Sequence, residues 1–291
     1  MKNFKWMVAA VVFFAFAKAN TLQAQQEFQA IAHYVAQTKF DIKEDTTKSK
    51  DPMQDEMKRK FREALSKGSQ QEYKMEFTGT ESVYDKVVEL AKPSVGSEFS
   101  VSFSNNNGVG ATIYKNLSQQ MYYKEAEIFG KEFLIKDSFP TYNWQLSQET
   151  KQIGNYLCYK ATYVPELTEI QKEAKKKREE KKETGGLLAQ IETNEDRTIT
   201  AWYTPEIPIS NGPGEYQGLP GFILEVKEKN TVLLCTKIEI NPAENLKIKQ
   251  PKSGKEISQK EFDALYKKKY DERMEKQGGK GFIIISETRS N

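Results

Sequence analysis

The chain has 291 residues, with 44 Lys and Arg, 41 Asp and Glu, one histidine and two cysteines. Lys2, Lys5 and Lys18 account for the whole basic excess, so the chain after residue 24 carries 41 basic and 41 acidic side chains. A neutral chain lacks the clustered Lys and Arg that bind phosphate backbones, which argues against a nucleic-acid partner.

The first 24 residues are typical of a cleaved secretory signal peptide. Two lysines precede an apolar run at residues 6–17, and Leu22-Gln23-Ala24 resembles a small-residue cleavage site. The run is about a dozen residues long, whereas about 20 are needed to span a bilayer, so a membrane anchor is the weaker alternative. We expect an exported protein that is not an integral membrane protein after cleavage, with residues 25–291 forming a single domain.

The chain then alternates between strand and helix signals. Residues 29–42 are rich in strand formers, and residues 52–67 are predicted to form an amphipathic helix that begins at a proline and ends before a glycine. Tyr73, Met75 and Phe77 alternate with charged residues, which predicts a second strand with one face in contact with water.

The middle of the chain predicts a meander of short strands at residues 110–116, 120–125 and 132–136. A hairpin follows around Gly154-Asn155, a pair that permits the positive φ of a two-residue turn. A charged insertion at residues 166–186 then interrupts the strands, and we interpret it as a solvated helix or a disordered excursion.

Strand signals return at residues 197–204 and in a hairpin formed by residues 222–227 and 232–240. Ser258 and Glu261 then have the spacing of a capping box at the start of an amphipathic helix. The apolar segment 282–285 is either a last edge strand or a flexible end. The predicted fold class is α+β and mainly β: an antiparallel sheet or open half-barrel with two or three helices packed on one face.

The cysteines and the histidine leave their roles open. Cys158 and Cys235 each lie in an alternating apolar pattern, so they form either one disulfide in an oxidising compartment or two buried thiols on strands. His33 is the only imidazole, and its neighbours have no partner spacing, so a structural strand histidine is favoured over a catalytic one. No motif predicts a metal, a cofactor or a catalytic residue.

Residues 202–222 hold the densest group of prolines, glycines and aromatics in the chain. Leu219-Pro220-Gly221-Phe222 predicts a type II turn, with proline at the second position and glycine taking positive φ at the third. The segment either joins strands as a structural clasp or presents a rigid binding surface. The candidate binding residues are Trp202, Tyr203, Pro208, Tyr216, Gly218, Leu219, Pro220 and Gly221.

The same segment resembles the GLPGLI family of secreted bacterial proteins, also called Porph_ging. The resemblance rests on Trp144, on residues 153–161, on Trp202-Tyr203-Thr204 and on Gly218-Leu219-Pro220-Gly221 with the residues that follow. The chain departs from the family name at Phe222, where the name has leucine. The resemblance implies a Gram-negative envelope protein, in the periplasm or at the outer membrane, without an established activity or cofactor.

Two functions are compatible with these features. A binding or accessory protein of the envelope would hold an envelope protein, a peptide or an apolar ligand. The alternative is an envelope glycan hydrolase that uses paired carboxylates. An apolar groove at Tyr216 and Leu219 would favour binding, and a cluster of buried carboxylates in a cleft would favour hydrolysis.

Overall fold

The computed structural model describes residues 28–39, 69–87, 111–167 and 196–276, together with residues 56, 59 and 172. The predicted signal peptide and the apolar segment 282–285 lie outside the described residues, as do most of the predicted helix 52–67 and of the charged insertion. Glu56 and Arg59 in that helix, and Lys172 in the insertion, are helical.

The described residues form twelve strands in one sheet and one helix with described bounds, α1 (Gln259–Lys276). The mainly β class is confirmed, whereas the predicted two or three helices are not. The strands are β1 (Gln29–Thr38), β2 (Ser69–Thr78), β3 (Glu81–Lys86), β4 (Ile113–Asn116), β5 (Met121–Ile128), β6 (Lys131–Ser138), β7 (Gln145–Ile153), β8 (Tyr156–Tyr163), β9 (Ile199–Thr204), β10 (Phe222–Glu228), β11 (Thr231–Ile240) and β12 (Lys255–Ile257).

The strand order is β12-β6-β5-β4-β3-β2-β1-β11-β10-β9-β8-β7. All neighbouring pairs are antiparallel except β12, which runs parallel to β6, so the sheet is mixed rather than purely antiparallel. The difference arises because the connection 241–254 carries the chain from β11 past six strands to the far edge. Short turns join five of the ten antiparallel neighbours.

The predicted alternation is confirmed where the sheet covers its core. On β2, Tyr73, Met75 and Phe77 are buried, as the period of two requires. Gly154 has a φ of +56° in the predicted hairpin turn. Local sequence therefore accounts for both the strand faces and this connection.

The sheet curves around its main core. Phe77 on β2 stacks on Phe222 on β10 with ring centroids 4.4 Å apart, although β1 and β11 lie between these strands. Tyr34 on β1 is fully buried, and its hydroxyl donates to the carbonyl oxygen of Ile223 at 2.6 Å. Strands spaced about 4.8 Å apart allow such contacts only if the sheet bends strongly.

Helix α1 covers a second core over β5 and β6. The predicted capping box is confirmed: the Ser258 amide donates to the Glu261 carboxylate at 3.0 Å, and the Glu261 amide donates to the Ser258 hydroxyl at 3.3 Å. Phe262 then packs edge-on against Phe133, with centroids 5.8 Å apart. In the described part of the chain, no helix combines the length and apolar content needed to cross a membrane.

Candidate functional site

Residues 205–221 connect β9 to β10, and we call them the signature loop. Three turns of three residues each shape it. In each turn the amide of the third residue donates to the carbonyl oxygen of the first, and the accepting residues are Ile207, Ile209 and Leu219, each at 2.8 Å. Pro208 and Pro220 are central in the first and last of these turns, where their fixed φ suits an inverse γ-turn. A type II turn at residues 219–222 would have the Phe222 amide donate to the Leu219 carbonyl. The Phe222 amide donates to the Ile207 carbonyl at 3.1 Å, so the predicted turn type is wrong.

The apolar side chains of the signature loop point into the main core. Ile207, Tyr216 and Leu219 are all buried and belong to the same cluster as Phe77 and Phe222. Burial of such side chains removes apolar surface from water and holds the loop on the sheet. The loop consequently acts as a clasp across the curved sheet, which is one of the two roles predicted for it.

Lys115 on β4 binds the backbone of the signature loop from beneath. Its side chain is 0% exposed, and its Nζ donates to the carbonyl oxygens of Gly212 at 2.7 Å and Tyr216 at 3.2 Å. Burial lowers the pKa of Lys115 to about 7, although the nearby Glu215 carboxylate acts in the opposite direction. A buried amine with two carbonyl acceptors thus replaces the water that would otherwise solvate these groups.

Other polar groups fix the loop from its two sides. The indole of Trp144 donates to the carbonyl oxygen of Gln217 at 2.9 Å, and the Gln217 amide group donates to Pro140 at 2.9 Å. On the other side, the Asn211 amide group donates to the Ser82 hydroxyl at 3.0 Å in a buried position. These contacts place the loop in one conformation against β3 and the strand entrance at residue 144.

Two glycines of the loop are required by close packing. A Cβ at Gly221 would lie 2.2 Å from the Thr204 carbonyl oxygen, and the residue has a φ of +153°. A Cβ at Gly212 would lie 2.7 Å from the Cβ of Ile223. Such distances are far below van der Waals contact, so only glycine lets the loop return beside its own strands.

An acid–base cluster, formed by Lys124, Glu215, Gln259 and Asp263, lies where the loop meets β5 and α1. Lys124 Nζ and Glu215 Oε1 are 2.7 Å apart, and both side chains are mostly buried. Gln259 Nε2 donates to Asp263 Oδ1 at 2.8 Å, while the Tyr122 hydroxyl donates to Gln259 Oε1 at 3.2 Å. The two pairs are close enough for the charges of Lys124 and Glu215 to act on Asp263.

Asp263 is the least solvated acid of this cluster. It is 3% exposed, and its Oδ2 has no hydrogen-bond partner. Burial raises the pKa of Asp263 to about 6, with Glu215 adding to the rise, whereas the hydrogen bond from Gln259 and the charge of Lys124 oppose it. The site therefore holds two carboxyl groups in different environments, which is the arrangement that separates an acid from a base.

A second polar group lies on β7–β10 around Trp202, which is partly buried and packs against the main core, and we call it the Trp202 face. Lys151 Nζ is 4.4 Å from the centroid of the Trp202 ring and 2.7 Å from Glu225 Oε2. Beside this pair, Lys160 Nζ is 2.9 Å from Glu149 Oε1. The face is partly open to water and alternates positive and negative charges around an aromatic ring; its residues are Glu149, Lys151, Lys160, Trp202 and Glu225.

The structure separates the candidate binding residues into two sets. The buried set belongs to the core or to its close packing: Tyr203, Tyr216, Leu219 and Gly221. Pro208, Gly218 and Pro220 are exposed, and Trp202 is partly buried on its own face. The eight residues therefore do not form one surface, and Tyr216 and Leu219 do not border a groove because they pack inward.

The cysteines and the histidine all lie on strands of the sheet. Cys158 and Cys235 are both buried free thiols, so the possible disulfide is not formed in the structure. Burial raises their thiol pKa values to about 11 and about 12. His33 is partly exposed on β1, with its Nε2 3.5 Å from Glu239.

Sequence reasoning missed Lys115, Lys124 and Asp263. Each has the pattern of an ordinary surface charge in its strand or helix, and only tertiary contacts bury it. The one available signal was that Lys115 and Lys124 lie next to tyrosines in short strands. Among the described residues, no group of three or more His, Cys, Asp or Glu side chains could hold a metal ion.

The fold and the clasped loop define a mainly β protein built on one large mixed sheet. Residues 144–225 match the model of a family described as "Protein of unknown function (Porph_ging)". This match over residues 144–225 confirms the resemblance drawn from the sequence. The match covers β7, β8, β9, the signature loop and the start of β10, and so includes the clasp and all of the Trp202 face.

Comparison with other proteins adds little. No curated protein matches the chain. Two solved structures, "Structure of PNGF-II in C2 space group" and "Structure of PNGF-II in P21 space group", match with TM-scores of 0.44, at 11% and 12% identity, over 84% of this chain. The chain spans 33% and 34% of the length of those chains, and a likeness this weak supports no conclusion about function.

Proposed function

We propose that this chain is an exported binding or accessory protein of the Gram-negative cell envelope, without catalytic activity, and that it contacts its partner through the Trp202 face. The partner is an envelope protein, a peptide or an apolar ligand. Export is supported by the signal-like residues 1–24 and by the family resemblance.

The observation that carries this proposal is the position of Trp202. Among the large side chains of the candidate binding residues, Tyr203, Tyr216 and Leu219 are buried, whereas Trp202 keeps part of its surface in contact with water. Tryptophan is enriched at the centres of protein interfaces because it combines a large apolar area with few rotatable bonds. Charged side chains around it supply the polar rim that binding surfaces have.

The signature loop has a supporting role in this proposal. Its burial holds β9 and β10 in fixed relative positions, and these strands carry Trp202 and Glu225. Binding surfaces are most effective when their side chains are held by a rigid scaffold, because less entropy is lost on contact. The loop thus stabilises the surface without being part of it.

The test is cross-linking of the mature protein in its native envelope, followed by identification of the attached molecules. We expect Trp202→Ala to lose a partner that the wild type retains. Phe129→Ala is the matched control, because Phe129 is also an exposed aromatic, with the Arg273 guanidinium 4.6 Å from its ring, but lies at the other end of the sheet. Identical cross-linked products from wild type and Trp202→Ala, at equal stability, would contradict the proposal.

The acid–base cluster supports a second candidate function, an envelope glycan hydrolase. Glu215 and Asp263 are carboxyl groups in different environments, and burial keeps the pKa of Asp263 near 6, in the range useful for a general acid. The test is release of reducing ends from purified envelope glycan. The hydrolase predicts that Glu215→Gln and Asp263→Asn each abolish this release, and no release by the wild type would eliminate it.

A further inference from the structure

Trp202 and Glu225 are directly opposite each other on β9 and β10. Their side chains therefore point to the same face of the sheet, with a carboxylate beside an aromatic ring. An ammonium or guanidinium group is attracted both by the face of an indole ring and by a carboxylate. The pair thus has the two components of a site for an organic cation.

The ammonium group of Lys151 occupies this cation position, although its strand is not adjacent to β9 or β10. It lies on β7, three strands away from Glu225 on β10, which corresponds to about 14 Å along the sheet. The side chain reaches Glu225 only when it is extended across Trp202, in agreement with the 4.4 Å between its Nζ and the ring centroid. Lys151 is 33% exposed and Glu225 is 16% exposed, so water reaches the pair from the lysine side.

Of the two lysines near Trp202, Lys151 lies over its ring and Lys160 does not. Lys160 on β8 is the direct cross-strand neighbour of Trp202. Its Nζ nevertheless binds both carboxylate oxygens of Glu149, at 2.9 and 3.1 Å, instead of the ring. The cation over Trp202 therefore comes from the edge strand β7, and ion pairs of partly exposed lysines contribute little stability.

We propose that Trp202 and Glu225 form a binding site for an organic cation, which Lys151 occupies within the chain and which the lysine, arginine or amine of a ligand takes in its place. This proposal rests on the proposed function and names the chemistry that its surface recognises. Lys151 acts as an internal competitor, which lowers the affinity of the free protein and makes binding selective for cations that also contact the surrounding face.

The experiment uses methylguanidinium as the probe and N-methylurea as its uncharged counterpart of similar shape. Binding is followed by the NMR resonance of the Trp202 indole N–H, assigned with Trp202→Phe. We expect Lys151→Met, which keeps the apolar stem and removes the charge, to bind methylguanidinium about tenfold more tightly than the wild type. Glu225→Gln in the Lys151→Met background is expected to reverse this gain.

Lys136→Met is the matched control, because Lys136 Nζ also lies over an aromatic ring, 5.7 Å from the Tyr123 centroid, and pairs with Glu256, but far from the Trp202 face. It is expected to leave the affinity of the wild type unchanged. Equal affinity of wild type and Lys151→Met for methylguanidinium would overturn the proposal, as would equal binding of N-methylurea. Unchanged resonances away from the Trp202 face verify that each variant is folded. The failure of this site is distinguishable from failure of the proposed function, because loss of the cross-linked partner in Trp202→Ala does not depend on the probe.

Discussion

The Nζ of Lys115 lies 2.7 Å from the carbonyl oxygen of Gly212, although the two residues are 97 positions apart in the chain. This contact joins β4 to the middle of the signature loop inside the core. It places a basic group where water cannot solvate it, so the stability of the fold should depend on the protonation of Lys115.

We expect stability to rise with pH between about 7 and 9. The pKa of Lys115 is about 7 in the folded protein, against 10.5 for an ordinary lysine, so the unfolded chain binds more protons in this window. The contribution of one such group rises by up to about 1.4 kcal/mol per pH unit and is absent below pH 7, where both states are protonated. Urea unfolding at pH 7, 8 and 9 measures it.

Lys115→Met is the control for this pH dependence. Its free energy of unfolding should not rise with pH in this window, even if the substitution changes stability at every pH. An equal slope in both proteins would mean that another group is responsible. The measurements stop at pH 9 because burial raises the pKa values of the Cys158 and Cys235 thiols, whose ordinary value is 9.0. Those groups lower stability as pH rises above their unfolded values, which is the opposite sign.

Gly221→Ala should destabilise the protein by more than about 2 kcal/mol, because the new methyl group would meet the Thr204 carbonyl in a backbone conformation that disfavours a side chain. Gly79→Ala is the matched variant, since a Cβ there meets nothing within 4 Å. It should change the free energy of unfolding by no more than about 0.5 kcal/mol. Similar effects of the two substitutions would show that the loop moves freely away from β9.

Phe222→Leu, which restores the residue of the family name, should destabilise this chain. The stacked pair with Phe77 contributes about 0.5–1.5 kcal/mol beyond the area that it buries. A double-mutant cycle with Phe77→Leu should recover a coupling energy of this size. A coupling energy near zero would mean that the two rings contribute only as independent apolar groups.

Cys158 and Cys235 should both react with an alkylating reagent only after unfolding, because each thiol is buried and has a raised pKa. Intact-mass measurement of protein unfolded without reductant should then show two adducts. If two adducts appear only after reduction, the cysteines are paired in the exported protein.

In the wild type, the free energy of unfolding should fall as pH rises from about 4 to about 6, and Asp263→Asn should not show this fall. The folded pKa of Asp263 is near 6, against 3.8 for an ordinary aspartate, so the folded state binds more protons in this window and stability falls as pH rises through it. Thermal unfolding of both proteins at pH 4, 5 and 6 tests the difference. Parallel pH profiles would assign the pKa shift to another acid.

The strand pattern, the hairpins and the capping box were predictable because they depend on residues close together in sequence. Alternation of Tyr73, Met75 and Phe77 specifies a buried face wherever the strand is placed. Ser258 and Glu261 satisfy each other's amides within one turn of helix. The same local logic predicted a turn at Leu219-Pro220-Gly221 but assigned its type incorrectly, because the Phe222 amide finds its acceptor on the other side of the loop.

The sequence by itself determined the mainly β class, the family resemblance, and the concentration of prolines and glycines between β9 and β10. Only the tertiary structure decided that the apolar side chains of this segment face inward, that Lys115 is buried beneath it, that Asp263 is buried on α1, and that Trp202 lies under the Lys151 ammonium. The reason is physical: propensity and periodicity act over a few residues, whereas burial depends on which distant strands the curved sheet brings together. A charged side chain in a strand pattern is therefore predicted to be exposed, and only the tertiary structure shows whether other residues bury it.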